Sequence, residues 1–235
     1  MIVCIDPGHG GHDPGSVNGQ NLEKYINLAI SEKVKRLLVD RAFTVRMTRV
    51  NDVYISLEDR VKASRGCDMF ISIHVNSVNR PEPAGVETYY NNESAVSKQL
   101  ADYIQSSLIS LTGAIDRKVK PGTYYTIKHQ PAGSPACLVE VGFISNPAEC
   151  SKLQDDKYQL LIAEGIVTGV MKYLNLPYKD KVNFFDVNQE DWAYDYIRKI
   201  TDARIMTGYP DGSFKPEKEV TRRELAAALA ILLNL

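Results

Sequence analysis

Four titratable residues stand at loop-and-strand junctions where catalytic chemistry can be built. His9 lies in a glycine-rich stretch, Asp6-Pro-Gly-His-Gly-Gly-His-Asp-Pro-Gly15, that directly follows a short apolar run. His74 and Asn76 close another apolar run, Ile71-Ser-Ile-His-Val-Asn76, and Glu23 opens a long helical pattern shortly after the glycine stretch. Glu140 interrupts the apolar run Ala136-Cys-Leu-Val-Glu-Val-Gly-Phe143. Two histidines and a carboxylate, with one coordination position left for water, form a common catalytic Zn²⁺ arrangement. Such a site needs a further carboxylate to take the water's proton and pass it to a leaving amine. A lone Glu in a buried strand must be paired or functional, because an unpaired buried charge is costly. Spacing alone leaves alternatives open. His74 also reads as a satisfied core histidine. The glycine stretch also reads as a phosphate cradle, although it lacks the Gly-Lys-Ser/Thr ending of that motif.

These residues need a scaffold that brings distant loops together. β-Rich runs over 2–6, 43–49, 69–75, 85–90 and 137–143 alternate with helical patterns. In the first helix, Leu22, Ile26, Ile30, Val34 and Leu37 recur at helical spacing; 95–111 and 158–174 repeat that period. The alternation predicts an α/β domain over 1–175, a mostly parallel sheet flanked by helices on both faces. In such sheets functional groups gather beyond the carboxyl ends of the strands. A short polar linker is expected over 176–183, around Pro177. A small, mainly helical module should fill 184–235, with helices over 192–203 and 222–233, the second opened by a Thr221/Glu224 capping box.

Bulk properties narrow the class. The 235 residues are 44% hydrophobic and 24% charged, an ordinary globular composition. The formal net charge of −1 excludes a global basic field for nucleic acid, and no apolar run is long enough to insert into a membrane. The start, Met1-Ile-Val-Cys-Ile-Asp6, reads as a strand with no secretory leader ahead of it. Cys4, Cys67, Cys137 and Cys150 are expected to be unpaired thiols.

Several ordered segments share one pattern: Asp6-Pro-Gly-His-Gly-Gly, Leu22-Glu-Lys, Thr48-Arg, Leu57-Glu-Asp-Arg60, Phe70-Ile-Ser-Ile-His-Val-Asn76, Gly85-Val-Glu-Thr-Tyr-Tyr90 and Leu138-Val-Glu-Val-Gly-Phe-Ile-Ser-Asn-Pro147. Together they resemble the zinc-dependent N-acetylmuramoyl-L-alanine amidases of the amidase_3 family. The resemblance implies one Zn²⁺ held by His9, Glu23 and His74, with Glu140 as the proton carrier. The implied reaction is hydrolysis of the amide between the lactyl group of N-acetylmuramic acid and L-alanine of the peptidoglycan stem peptide. Glu87 then becomes a candidate to orient a ligand histidine or, alternatively, a cross-strand structural residue, and Asn76 a candidate to bond substrate or to support a ligand by hydrogen bonding; Tyr124 and Tyr125 are candidates to line a peptide groove. His12 and His129 read as surface residues.

The tail, with Gly208-Tyr-Pro-Asp-Gly212 and Thr221-Arg-Arg-Glu224, resembles a single S-layer homology repeat. That resemblance implies binding to a secondary cell-wall polymer, with Arg222 as the anionic-group contact and Trp192 and Asp211 as helpers. Such repeats commonly occur in threes, so a lone one implies homo-oligomers in which several chains supply the others, weak binding, or a repeat that has become a packing element. The combination predicts a lytic enzyme of the phage endolysin type, made in the cytoplasm and reaching the wall after release. A bacterial autolysin, a stem-peptide metallopeptidase and a non-catalytic wall-binding protein are the alternatives.

Overall fold

The computed structural model describes residues 1–176, 184–188, 190–202, 205–209 and 211–233. The chain divides into two compact units, Met1–Pro177 and Tyr178–Leu235. Residues 177–183, most of the expected linker, lie outside the described residues.

The first unit is built on six strands: β1 (Ile2–Pro7), β4 (Thr44–Met47), β5 (Met69–Asn76), β6 (Val86–Tyr90), β7 (Asp116–Pro121) and β8 (Ala136–Phe143). A small hairpin of β2 (Val17–Asn18) and β3 (Asn21–Leu22) precedes α1 (Glu23–Val39). The sheet order is β4-β1-β5-β8-β6-β7. β4, β1, β5 and β8 are mutually parallel; β6 runs antiparallel to β8, and β7 follows β6 in parallel. The fold is therefore α/β with a mostly parallel sheet, as expected, and its reversed edge is the part the alternation pattern did not predict.

Three long helices, α1, α3 (Ala95–Thr112) and α6 (Asp156–Tyr173), cover one face and pack on one another. They bury Ile26, Ile30, Val34, Leu100, Ile104, Leu108, Ile162 and Ile166, the apolar stripes expected from the 3.6-residue period. α6 lies close on α3 because Gly169 has no Cβ; one there would sit 2.4 Å from Ile104 Cα. The opposite face carries Cys4, Phe70, Ala136 and Leu138, which pack with Ile127 of the short helix α4 (Tyr125–Lys128). α4 meets α2 (Leu57–Ala63) on that side. The two faces are thus unequally dressed, and the thinly covered one carries the polar residues considered below. α5 (Pro147–Gln154) follows β8, capped by the Asn146 side chain with Pro147 in its first turn. All four cysteines are free, and Cys4, Cys137 and Cys150 are buried.

In the second unit, α7 (Tyr194–Asp202) and α8 (Arg222–Leu233) correspond to the two expected helices; residue 203, the expected end of the first, lies outside the described residues. The capping box forms: Thr221 Oγ1 accepts from Glu224 N at 3.2 Å, and Glu224 Oε2 accepts from Thr221 N at 2.8 Å. Phe184 packs on Phe214 with ring centroids 5.0 Å apart, and Asp186 accepts from the backbone N–H groups of Phe214 and Lys215. Leu225, Leu229 and Leu232 of α8 are exposed.

Candidate metal centre and catalytic groove

The first strand delivers the glycine stretch to the carboxyl end of the sheet, where two buried arginines hold it. Arg60 of α2 donates from Nη1 to Asp6 Oδ1 and Pro7 O, each at 2.7 Å, and from Nη2 to His9 O at 2.7 Å. Arg49 donates from Nη2 to Gly8 O at 2.9 Å and Lys24 O at 2.7 Å. Asp6 is fully buried and also accepts from the hydroxyls of Thr48 and Ser72. Burial alone would raise its pKa; the Arg60 guanidinium and these hydroxyl donors instead hold it below the ordinary carboxylate value. A loop fixed this firmly can carry His9 at φ 61°, a left-handed conformation that costs a non-glycine residue energy.

His9, Glu23 and His74 converge from a loop, a helix start and a strand. One ligand atom from each lies within 4.8 Å of the others. Glu23 Oε1 is 3.3 Å from His9 Nε2 and 3.1 Å from His74 Nδ1, and the two imidazole rings meet edge to face at 4.9 Å. Ser16 N, Val75 N and Asn27 Nδ2 also donate to the Glu23 carboxylate. Burial opposes its ionisation, yet hydrogen bonds and charge from His74 and His9 hold Glu23 far below the ordinary carboxylate range. Burial likewise opposes protonation of His9, but Glu23 and Asp13 outweigh it and raise the pKa. Asp13 Oδ2 lies 2.8 Å from His9 Nδ1, so a proton on Nδ1 leaves the Nε2 lone pair available to a cation held together with Glu23 and His74. Gly8 makes room for the second ring: a Cβ there would lie 2.3 Å from His74 Cε1.

Glu140 stands directly opposite His74 on β8, and Glu87 directly opposite Glu140 on β6. Opposed residues share a sheet face, so the three side chains form one row across adjacent strands. Glu140 Oε2 is buried with no hydrogen-bond partner among the described residues. Burial, then the charges of Glu23 and Glu87, push its pKa well above the ordinary value. A groove of about 350 Å³ opens over this region, lined by His9, Asp13, Tyr54, His74, Tyr124 and Tyr125 among others.

Asn76 and Glu87 sit together: Asn76 Nδ2 donates to Glu87 Oε1 at 2.7 Å. The other partners of Glu87 are Tyr89, Arg117 and Lys120; the carboxylate that meets a site imidazole from behind is Asp13. Sequence reasoning missed Asp13, Arg49 and Arg60 as functional supports. Their signals were present: Asp13 is four residues beyond His9, and both arginines lie inside the shared pattern. His12 and His129 are exposed and stack on Tyr54 and Tyr125 at centroid distances of 4.2 and 4.0 Å.

In the second unit, Trp192 is 84% exposed beside Tyr196. Asp211 accepts from Ser213 N and Oγ and pairs with Lys215 at 3.2 Å, while Arg222 is exposed at the start of α8. Among the described residues no hydrogen bond or ion pair joins these three.

Comparison with known proteins finds matches to both parts of the chain. Residues 3–172 match the family model of the N-acetylmuramoyl-L-alanine amidases (Amidase_3), and residues 183–226 match the S-layer homology domain. The chain is 39% identical over 175 residues to the N-acetylmuramoyl-L-alanine amidase LytC of Bacillus subtilis; the match covers 73% of this chain and 35% of that longer relative. It is 32% identical to the endolysin of Bacillus phage SPP1, with 94% of this chain and 89% of the endolysin covered. The catalytic domain of CwlV, the N-acetylmuramoyl-L-alanine amidase from Bacillus (Paenibacillus) polymyxa var. colistinus, superposes with a TM-score of 0.71 at 35% identity, covering 75% of this chain and 99% of that one. A family match over most of the chain, relatives of this identity and the shared fold have one reading: the chain belongs to the amidase_3 family of N-acetylmuramoyl-L-alanine amidases and carries a C-terminal S-layer homology domain.

Proposed function

We propose that residues 1–175 hydrolyse the amide between the lactyl group of N-acetylmuramic acid and the L-alanine of the stem peptide, with one zinc ion held by His9, Glu23 and His74. The observation that carries this reading is the convergence of two imidazole nitrogens and a carboxylate oxygen beside the partnerless buried carboxylate oxygen of Glu140. The donor set suits the ion: imidazole nitrogen and carboxylate oxygen are both ligands zinc accepts. Bound there, zinc would supply Lewis acidity to the attacking water and the scissile carbonyl.

The chain's own residues do the rest. Asp13 fixes the His9 ring so that Nε2 faces Glu23 and His74. Glu140 takes a proton from water and delivers it to the departing alanine nitrogen; burial raises its pKa, which suits a group that must hold a proton for part of the cycle. Tyr124 and Tyr125 wall the groove along which the stem peptide lies.

Residues 184–235 form the wall-targeting module in this reading, binding a secondary cell-wall polymer through Arg222, with Trp192 and Asp211 as helpers. The exposed Leu225, Leu229 and Leu232 of α8 support self-association of the tail. An endolysin-type lytic role is supported by the alignment to the phage relative along nearly the whole chain; an exported autolysin would use the same chemistry.

Digestion of purified Gram-positive peptidoglycan tests the proposal. New amino-terminal alanine without new reducing sugar, lost on chelation and restored by zinc, is the expected result. Other new amino termini would replace it with a stem-peptide peptidase, and no release by folded protein with a non-catalytic wall binder.

A further inference from the structure

The row of polar side chains does not end at Glu87. Tyr89 is two residues along β6 and pairs with Lys120 on β7, so Lys120 points to the same face as Glu87 and Glu140. Arg117 reaches that face through an irregularity. Between the pairs Val86/Asp116 and Thr88/Val119, β7 holds one residue more than β6, and Lys118 takes φ 73°. Such a bulge re-aims side chains locally. The result is that Arg117 Nε and Lys120 Nζ both donate to Glu87 Oε2, at 2.8 and 2.5 Å.

Two cations on one carboxylate leave a positive charge unbalanced. Asp116 does not offset it, because its carboxylate is engaged by Lys118 and Gln105. Both cations are open to solvent, with side-chain exposures of 33% for Arg117 and 37% for Lys120. Arg117 is also held rigidly, with its guanidinium carbon 4.7 Å from the Phe143 ring centroid. Only its Nε is used: Nη1 and Nη2 have no partner among the described residues. A guanidinium anchored at Nε, backed by an aromatic ring and free along its Nη edge is preorganised for a carboxylate. A second hollow is lined by Tyr89, Pro121, Gly122 and Tyr124; the Tyr89 ring centroid lies 6.0 Å from Lys120 Nζ, and Tyr124 also lines the first groove.

We propose that Arg117 and Lys120 form a subsite for a carboxylate of the stem peptide, which makes them specificity-determining residues; this rests on the amidase reading above. β7 lies two strand spacings from β8, about 10 Å from the Glu140 strand. An extended peptide covers that span in roughly two to three residues. The subsite therefore reads an acidic group carried on the second or third stem residue, and an amidated group in its place loses the contact.

The test uses the full chain and pairs of muramyl peptides that differ only in a free carboxylate or a carboxamide at the second or third stem residue. The wild-type protein should favour the acid by about 10–100-fold in kcat/KM, mostly through KM, the range of a charged hydrogen-bonded contact. Arg117→Ala should collapse the acid-to-amide ratio toward one, and Arg117→Lys should restore part of it, because lysine keeps the charge and loses the fork. Lys120→Met should lower the ratio by a smaller factor. Binding of the released acid and amide stem peptides to the intact protein, by calorimetry, gives a readout independent of turnover and should show the same preference. Equal treatment of acid and amide by the wild-type protein overturns the subsite. So does an Arg117→Ala loss shared equally by both substrates, since Arg117 would then only hold Glu87 in place. Failure to cleave either substrate would sink the amidase reading, while peptide binding would still decide the subsite.

Discussion

An alanine at position 8 would place its Cβ 2.3 Å from Cε1 and 2.5 Å from Nε2 of His74. Ordinary contact begins near 3.4 Å, so one of the two must retreat by about 1.1 Å. The backbone is poorly able to do so. Gly8 N donates to Ile73 O at 3.0 Å, and Gly8 O accepts from Arg49 Nη2 at 2.9 Å and Asn27 Nδ2 at 3.3 Å. The ring therefore moves. A coordinating atom tolerates displacement of only about 0.2 Å, and loss of a mere supporting partner costs roughly 10–100-fold in metal affinity. Gly8→Ala should accordingly weaken zinc binding by at least about 100-fold, close to 2.8 kcal/mol. The metal-free protein should lose only about 1–3 kcal/mol from overpacking. Zinc titration against a chromophoric chelator, paired with denaturant melts in chelator, separates the two effects. A Gly8→Ala protein that folds and binds zinc at the parent affinity would refute the placement of His74 as a ligand.

Further expectations follow from the neighbouring groups. Glu140→Ala should lower kcat by about 10²–10⁴ while zinc stays bound, whereas His9→Ala should lose both; turnover by Glu140→Ala at the parent rate would remove Glu140 from the proton path. Asp13→Ala frees the His9 ring and should reduce zinc affinity about 10–100-fold in the same titration, with little change in the melting of the metal-free protein. Asp6→Asn leaves Arg60 without its buried partner and should cost about 3–5 kcal/mol at neutral pH. Because the folded-state pKa of Asp6 lies below 3.8, its stabilisation is present above that pH and lost as pH falls through the folded value. Urea melts of parent and Asp6→Asn should thus converge in acid; parallel curves from pH 7 to pH 3 would argue against the Asp6–Arg60 account.

What was readable in the sequence follows the strength of each local signal. β1, β5 and β8 are continuous apolar runs buried on both faces, and α1, α3 and α6 carry full helical stripes, so each stood out. β7 did not: Asp116-Arg-Lys-Val-Lys-Pro121 is a half-exposed edge strand, and its charges mask the strand pattern. α2 and α4 span only 7 and 4 residues, too short for a period to register. The reversal of β6 was unreadable, because strand direction is decided by which neighbour it meets and leaves no mark in Val86–Tyr90. His9, Glu23, His74 and Glu140 were identifiable by residue type and shared pattern. The Arg60–Asp6 pair and the Asp13–His9 contact depend on residues brought together by the fold, 54 and 4 positions apart, and only the three-dimensional arrangement reveals what they support.

The reversed strand has an evolutionary consequence. Because β6 enters the sheet from the rim where β5 and β8 leave it, the chain from Ser77 to Gly85 must pass over the end of β8, tied there by Val78 N to Ser145 Oγ and Gly85 N to Glu149 Oε1. Residues 77–82 are exposed and supply none of the proposed metal ligands. Length and composition can therefore drift in this bridge while the strands on either side keep His74, Glu140 and Glu87 in register.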